Sequence, residues 1–324
     1  MMNLFLKYLL NGDREDWINI EVESRFKYSN NIGRETVGIW IFSEPIIKKN
    51  LKGDEIAVFL MDTQGWHDDR TTEKENQLIF GLNCVLSSVM IYNVHRNIGE
   101  DDFSYIKNYT SKALDLSEMG DEPFQKLIIL IRDWWSNGER GFSYGYYDSR
   151  YPRGSKDFIQ NKLQLEGKST EAQMIRKILT RQYEQICAYL MPYPGSVVNS
   201  WEFNSSTIDC EFKKHINDFC SILFAQRNLV LAKFNNKYLR GIELLDLMKT
   251  KFVNNLSLLN LPELFERMSV FKKKNLNELE QLDSGNFGQV FKVKHQLDKQ
   301  LYAVKKITAL SMSFQYLHFD SNSN

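Results

Sequence analysis

Four short, nearly continuous apolar runs punctuate the first two thirds of the chain: Ile56–Met61, Val85–Tyr92, Leu127–Ile131 and Ile186–Met191. Each is rich in β-branched or aromatic residues, the pattern of strands buried on both faces of a sheet. Amphipathic stretches lie between them. One starts at Thr170, with Gln173 three residues on as a capping box, and continues through Ile175, Ile178, Leu179, Tyr183 and Ile186 at helical spacing. Asp101–Leu116 carries Phe103, Ile106 and Tyr109 on one helical face. The alternation predicts an α/β fold, a mostly parallel sheet with helices on both faces, whose ligands sit at the carboxyl ends of strands. Beyond Ser205 the strand signal fades. Ile208–Phe224 and Gly241–Leu256 read as helices, and Pro262 marks a further helix start. After the charged Lys272-Lys273-Lys274 the texture changes again: Leu282–Ile307 reads as short strands, with a hairpin near Leu297-Asp298-Lys299. A polar tail over 311–324 is expected to be disordered.

Composition narrows the picture. The chain has 324 residues, with Lys+Arg and Asp+Glu both at 41, so its charge gives no argument for nucleic acid or an anionic membrane. Cys84, Cys187, Cys210 and Cys220 form no C-x-x-C pair, and Cys84 and Cys187 sit in apolar runs as small hydrophobes. The histidines lack zinc spacing. A reducing, cytoplasmic setting is the expectation. No run reaches the ~20 apolar residues of a bilayer span, so no membrane-spanning segment is predicted.

Three motifs then carry chemistry. Asp62-Thr63-Gln64-Gly65 follows the first apolar run, a D-x-x-G at a strand end. Arg34-Glu35-Thr36-Val37-Gly38-Ile39 lies upstream, and Arg132-Asp133 ends the third run. Singly each is a common turn or cap; their order is what counts. Phosphoryl transfer is mostly positioning and charge stabilisation. Thr36 can offer a hydroxyl to Mg²⁺ and a carbonyl to an attacking water, and Asp62 can hold the Mg²⁺ shell. Gly65 lets backbone approach a γ-phosphate. Asp133 presents two acceptors to the N1–H and N2–H₂ donors of guanine, which an adenine edge lacks. No G-x-x-x-x-G-K-[ST] phosphate loop occurs in the sequence.

Further strings are Pro123-Phe124-Gln125-Lys126-Leu127, Phe142-Ser143-Tyr144-Gly145 and Met191-Pro192-Tyr193-Pro194-Gly195. With these, residues 3–268 resemble the atlastins, large GTPases of the dynamin superfamily, with the guanylate-binding proteins as more distant relatives. The resemblance implies a P-loop-NTPase-like domain over 1–268. In it Thr36, Asp62 and Gly65 would be catalytic, with Thr36 and Asp62 on Mg²⁺, and Arg132, Asp133, Pro192 and Gly195 would hold the guanine nucleotide. It also implies GTP hydrolysis coupled to endoplasmic-reticulum membrane fusion, a homodimer or a dimer with a full-length atlastin-like GTPase, and a place on the cytosolic face of that membrane. Met1–Leu10 resembles the end of the helix after the family's phosphate loop. The expectation is therefore a fold missing its first strand, with impaired nucleotide binding and low stability. A non-catalytic dimerisation or interaction fragment is the alternative.

A second resemblance follows a junction at 269–277. Leu282-Asp283-Ser284-Gly285-Asn286-Phe287-Gly288-Gln289-Val290 and Tyr302-Ala303-Val304-Lys305-Lys306-Ile307 resemble the glycine loop and A-x-K strand of a protein kinase N-lobe, over 278–310. It implies an ATP loop formed by Gly285, Gly288, Val290, Ala303 and Lys305. Kinase activity is not expected, since H-R-D and D-F-G are absent from the sequence.

Overall fold

The computed structural model describes residues 1–22, 26, 36, 38–42, 44–65, 72–117, 123–135, 141–145, 154–195, 208–241, 243–244, 246–247, 276–285, 288–295, 301–306 and 316–318. These form two compact units, Met1–Leu259 and Asn260–Asn324.

The first unit is built on three parallel strands, β5 (Val89–His95), β6 (Phe124–Arg132) and β7 (Tyr183–Leu190), in that spatial order. Parallel strands need crossovers, and helices supply them. α3 (Glu100–Ser117) joins β5 to β6, and α4 (Ser155–Leu163) and α5 (Thr170–Gln182) join β6 to β7. The registers place His95 beside Arg132 and Leu190 beside Ile131, so the carboxyl ends of all three strands are level. The predicted α/β class and largely parallel sheet are observed.

Strand alternation sends side chains to two helical layers. Val89, Ile91, Ile128 and Leu130 join a core with α1 (Met2–Asn11) and α6 (Cys210–Phe224), where Phe5, Leu6, Leu9, Phe212, Ile216 and Phe219 are buried. The Phe5 and Phe219 rings lie 5.8 Å apart. On the other side, Met90 meets Cys84 of α2 (Glu73–Leu86), and the Tyr92 hydroxyl donates to Asp102 of α3. α2 begins with a capping box: Thr72 Oγ1 accepts from Glu75 N–H, and the Glu75 carboxylate accepts from Thr72 N–H.

An antiparallel ribbon precedes this sheet. β1 (Ile39–Ile41) pairs with β4 (Met61–Thr63), and β2 (Ile46–Lys49) with β3 (Glu55–Val58). Its turn is closed by Asn50, whose Oδ1 accepts from the N–H groups of Lys52 and Asp54, and Gly53 supplies a φ of 86°. A small hairpin, β8 (Lys233–Phe234) with β9 (Lys237–Tyr238), follows α6.

Several boundaries differ from the sequence reading. The run Ile56–Met61 is divided between β3 and β4, both antiparallel to their partners, because the ribbon breaks at Phe59-Leu60. Val85 and Leu86 end α2 rather than begin a strand. The cap of α5 is Ser169, whose Oγ accepts from Ala172 N–H, and not Thr170; Gln173 instead donates to the Lys168 carbonyl. That helix stops at Gln182, so Tyr183 and Ile186 belong to β7. Helical spacing persisted there by coincidence, since an apolar strand start fits either period. The later part of Gly241–Leu256, Pro262 and the Lys272 run lie outside the described residues.

The second unit contains a four-stranded antiparallel meander: β10 (Leu276–Gly285), β11 (Gly288–His295), β12 (Leu301–Lys306) and β13 (Tyr316–His318). Gly285 stands opposite Gly288, Val290 opposite Lys305, and Lys292 opposite Ala303. β11 and β12 are antiparallel neighbours, as a hairpin requires; its turn residues lie outside the described residues.

Candidate functional site

The ribbon brings two of the predicted residues together. Pairing of β1 with β4 sets Trp40 opposite Asp62, and the Thr36 hydroxyl donates to Asp62 Oδ2 at 2.7 Å. Two further bonds lock the same junction. Gly38 N–H donates to the Gln64 side-chain oxygen at 2.8 Å, and Gln64 N–H donates to the Gly38 carbonyl at 2.9 Å. Gly38 holds a φ of 71°, which a residue with a branched side chain would resist at that position. Gln64 is buried, and its Nε2 donates to Asn76 on α2 at 3.2 Å. A Cβ added at Gly65 would meet nothing within 4 Å among the described residues.

A hydroxyl beside a carboxylate is a set of hard oxygen donors, the kind that suits Mg²⁺ supplemented by water and phosphate. The start of α1 lies near this pair. Burial holds the Met1 amino group's pKa below its ordinary value; the charge of Arg132 adds to this, and that of Asp62 opposes it.

The Arg-Asp pair ends β6. Arg132 Nε donates to Asn93 Oδ1 at 2.6 Å, and Arg96 N–H donates to the Arg132 carbonyl at 2.7 Å. Asp133 has a φ of 54°, the left-handed conformation that Asp tolerates better than most residues. Its carboxylate Oδ2 lies 3.1 Å from His95 Nε2. Trp134 N–H donates to the Met191 carbonyl, which ties this turn to the end of β7.

Two further loops meet at the same edge, of which the one after β7 is the loop expected near the base. Gly145 N–H donates to the Leu190 carbonyl, and the Gly145 carbonyl accepts from the Ser155 hydroxyl. Gly145 has a φ of 69°, and a Cβ there would meet the His215 ring at 3.0 Å. The loop after β7 passes Pro192 to Gly195, where the Pro194 carbonyl accepts from Asp209 N–H and Gly195 has a φ of 103°. Thr36, Asp62, Gly65, Arg132, Asp133, Pro192 and Gly195 all belong to the first unit. Gly285, Gly288, Val290, Ala303 and Lys305 belong to the meander of the second. Arg34, Glu35 and Val37 lie outside the described residues.

The guanylate-binding protein N-terminal domain matches residues 1–232, the span holding both the ribbon and the Arg-Asp pair. The chain belongs to this family. Among curated proteins it is 32% identical to human Atlastin-2 over 256 residues, covering 77% of this chain and 42% of that one. It is 32% identical to rat Atlastin-1, covering 77% and 44%, and 30% identical to Drosophila Atlastin, covering 76% and 46%. The chain thus spans less than half the length of these relatives. Among the described residues, no helix is long and apolar enough to cross a membrane.

Within this guanylate-binding domain the sequence reading passed over three side chains. Asn93 and His95 alternate on one face at the end of β5, and each holds one member of the Arg-Asp pair. Period-two spacing before a turn was the available signal. Gln64, read only as the variable position of D-x-x-G, links both ribbon strands and α2.

Proposed function

We propose that the first unit is a GTP site of the atlastin type. The observation that carries the reading is the Thr36–Asp62 bond on the ribbon, in the same compact unit as the left-handed Asp133. Asp133 would accept from the guanine N1–H and N2–H₂, with Arg132, Pro192 and Gly195 bordering the base. Thr36 and Asp62 would hold Mg²⁺, whose charge would neutralise the phosphates. Thr36 would also place the attacking water through its carbonyl, and the open backbone at Gly65 would admit the γ-phosphate. Atlastin resemblance further supports hydrolysis coupled to fusion at the cytosolic face of the endoplasmic reticulum, with dimerisation through this domain. The 324 residues hold no glycine-rich lysine loop, and backbone amides with that lysine dominate phosphate binding in P-loop sites. These residues by themselves are therefore expected to bind GTP weakly and turn it over slowly.

The opposed Val290 and Lys305 of the second unit favour a subsidiary reading, an ATP-loop-like meander without phosphoryl transfer.

The test of the main reading is ligand-observed NMR with GTP, ATP and XTP in Mg²⁺. The expected result is a GTP preference over ATP that Asp133→Asn transfers to XTP, whose C2 carbonyl matches an amide donor. Equal GTP and ATP binding by the unsubstituted chain would refute it.

A further inference from the structure

Asp133 sits on a turn whose backbone is fixed from both sides. The preceding carbonyl, of Arg132, accepts from Arg96 N–H, and the following N–H, of Trp134, donates to Met191. What remains free is the side-chain rotation that aims the carboxylate. His95 removes that freedom: β5 and β6 run parallel with His95 beside Arg132, and its Nε2 reaches Asp133 Oδ2 at 3.1 Å. Two residues back on the same strand face, Asn93 Oδ1 accepts from Arg132 Nε at 2.6 Å. Adjacent positions of the Arg-Asp motif are thus each held by alternate positions of one strand end.

A carboxylate has about four lone-pair sites on its two oxygens. One donor from His95 occupies a single site on Oδ2, and the others still accommodate two N–H donors from a base edge. We propose that His95 is a positioning residue for base selection: it orients the Asp133 carboxylate before a purine arrives, and so sets how strongly a guanine edge is preferred over an adenine edge. The inference rests on the GTP-site reading above. Pre-orientation helps because a side chain already fixed loses no rotamer freedom on binding. The Asp133 side chain is 17% exposed and that of His95 56%, so His95 can be replaced without opening the core.

The experiment compares the full chain with His95→Ala, His95→Gln and Asp133→Asn by ligand-observed NMR competition between GTP and ATP, with thermal melts as the control for folding. His95→Ala is expected to lower the GTP:ATP affinity ratio by on the order of tenfold, the worth of one charge-assisted hydrogen bond. ATP affinity and melting temperature should stay unchanged. His95→Gln, which keeps a side-chain N–H donor, is expected to restore much of the ratio. A merely structural histidine would lower stability and both affinities together. An unchanged or raised ratio in His95→Ala, alongside a collapsed one in Asp133→Asn, would overturn the role of His95 and leave the site reading standing. No GTP preference in the unsubstituted chain would overturn the site reading itself.

Discussion

Arg176 of α5 offers the sharpest test of how the first unit holds its helices. Its side chain is 1% exposed, and its guanidinium reaches Glu100 at the start of α3 through two bonds of 2.6 and 2.7 Å. Nε donates to the Lys162 carbonyl of α4 at 2.7 Å, Nη1 to the Ala172 carbonyl at 2.9 Å, and the group lies 4.7 Å from the Phe103 ring centre. One cation thus joins three helices. Arg176→Ala would leave the Lys162 carbonyl without this donor, about 1–3 kcal/mol. It would also remove the cation–π contact, about 1 kcal/mol, and open a void under α5. Glu100 adds little to that cost, because its side chain is 58% exposed and water would take it back. With the void included, the sum is about 3–5 kcal/mol. At roughly 2–4 °C per kcal/mol for a unit of this size, the melting temperature should fall by about 6–20 °C. Glu100→Gln keeps one acceptor in place and should cost only about 1–2 kcal/mol. The assay is thermal unfolding of the full chain by circular dichroism at the helical wavelength. If Arg176→Ala melted within about 2 °C of the parent, or lost less than Glu100→Gln, the anchoring role would be refuted.

The same pair sets an acid limb. Hydrogen bonding to Arg176 holds the Glu100 carboxyl below its ordinary pKa. A depressed folded-state value contributes stability that is complete above the unfolded-state value and is lost as pH falls through the folded one. Melting temperature should therefore drop on acidification through and below the ordinary carboxylate range, and Glu100→Gln should flatten that part of the profile. Cys84 is buried beside Tyr183, and burial pushes its thiol up to about 12, so alkylation by iodoacetamide at neutral pH should wait for unfolding. Labelling of Cys84 in the native chain as fast as that of exposed Cys210 would contradict this, with peptide mass spectrometry as the readout.

Much of the site was legible because its signals are local. Asp62 and Asp133 each follow an apolar run; Asp133 lies just past the end of β6, where a strand delivers its next side chain to the sheet's edge, whereas Asp62 lies within the short β4. The helices α3 and α6 were legible for a similar reason: their apolar period is long and undisturbed. The ribbon was not, since Ile39–Ile41 and Ile46–Lys49 are too short to show a period, and pairing rather than pattern makes them strands. His95 and Gln64 were missed because their roles lie in partners 38 and 26 residues away, on strands whose register no single-strand pattern reveals.

The two halves of the candidate site rest on sheets that share no ladder among the described residues: Thr36 and Asp62 on the ribbon, Arg132 and Asp133 on the parallel strands. In hydrogen-exchange terms, sheets without a common ladder can open locally at different costs, even where they share a core. A nucleotide touching both would act as a noncovalent crosslink between them. Its signature would be a convergence of their exchange rates: amides of β4 and of β6 would come to open together, and the ligand would change the cooperativity of the molecule as well as its midpoint.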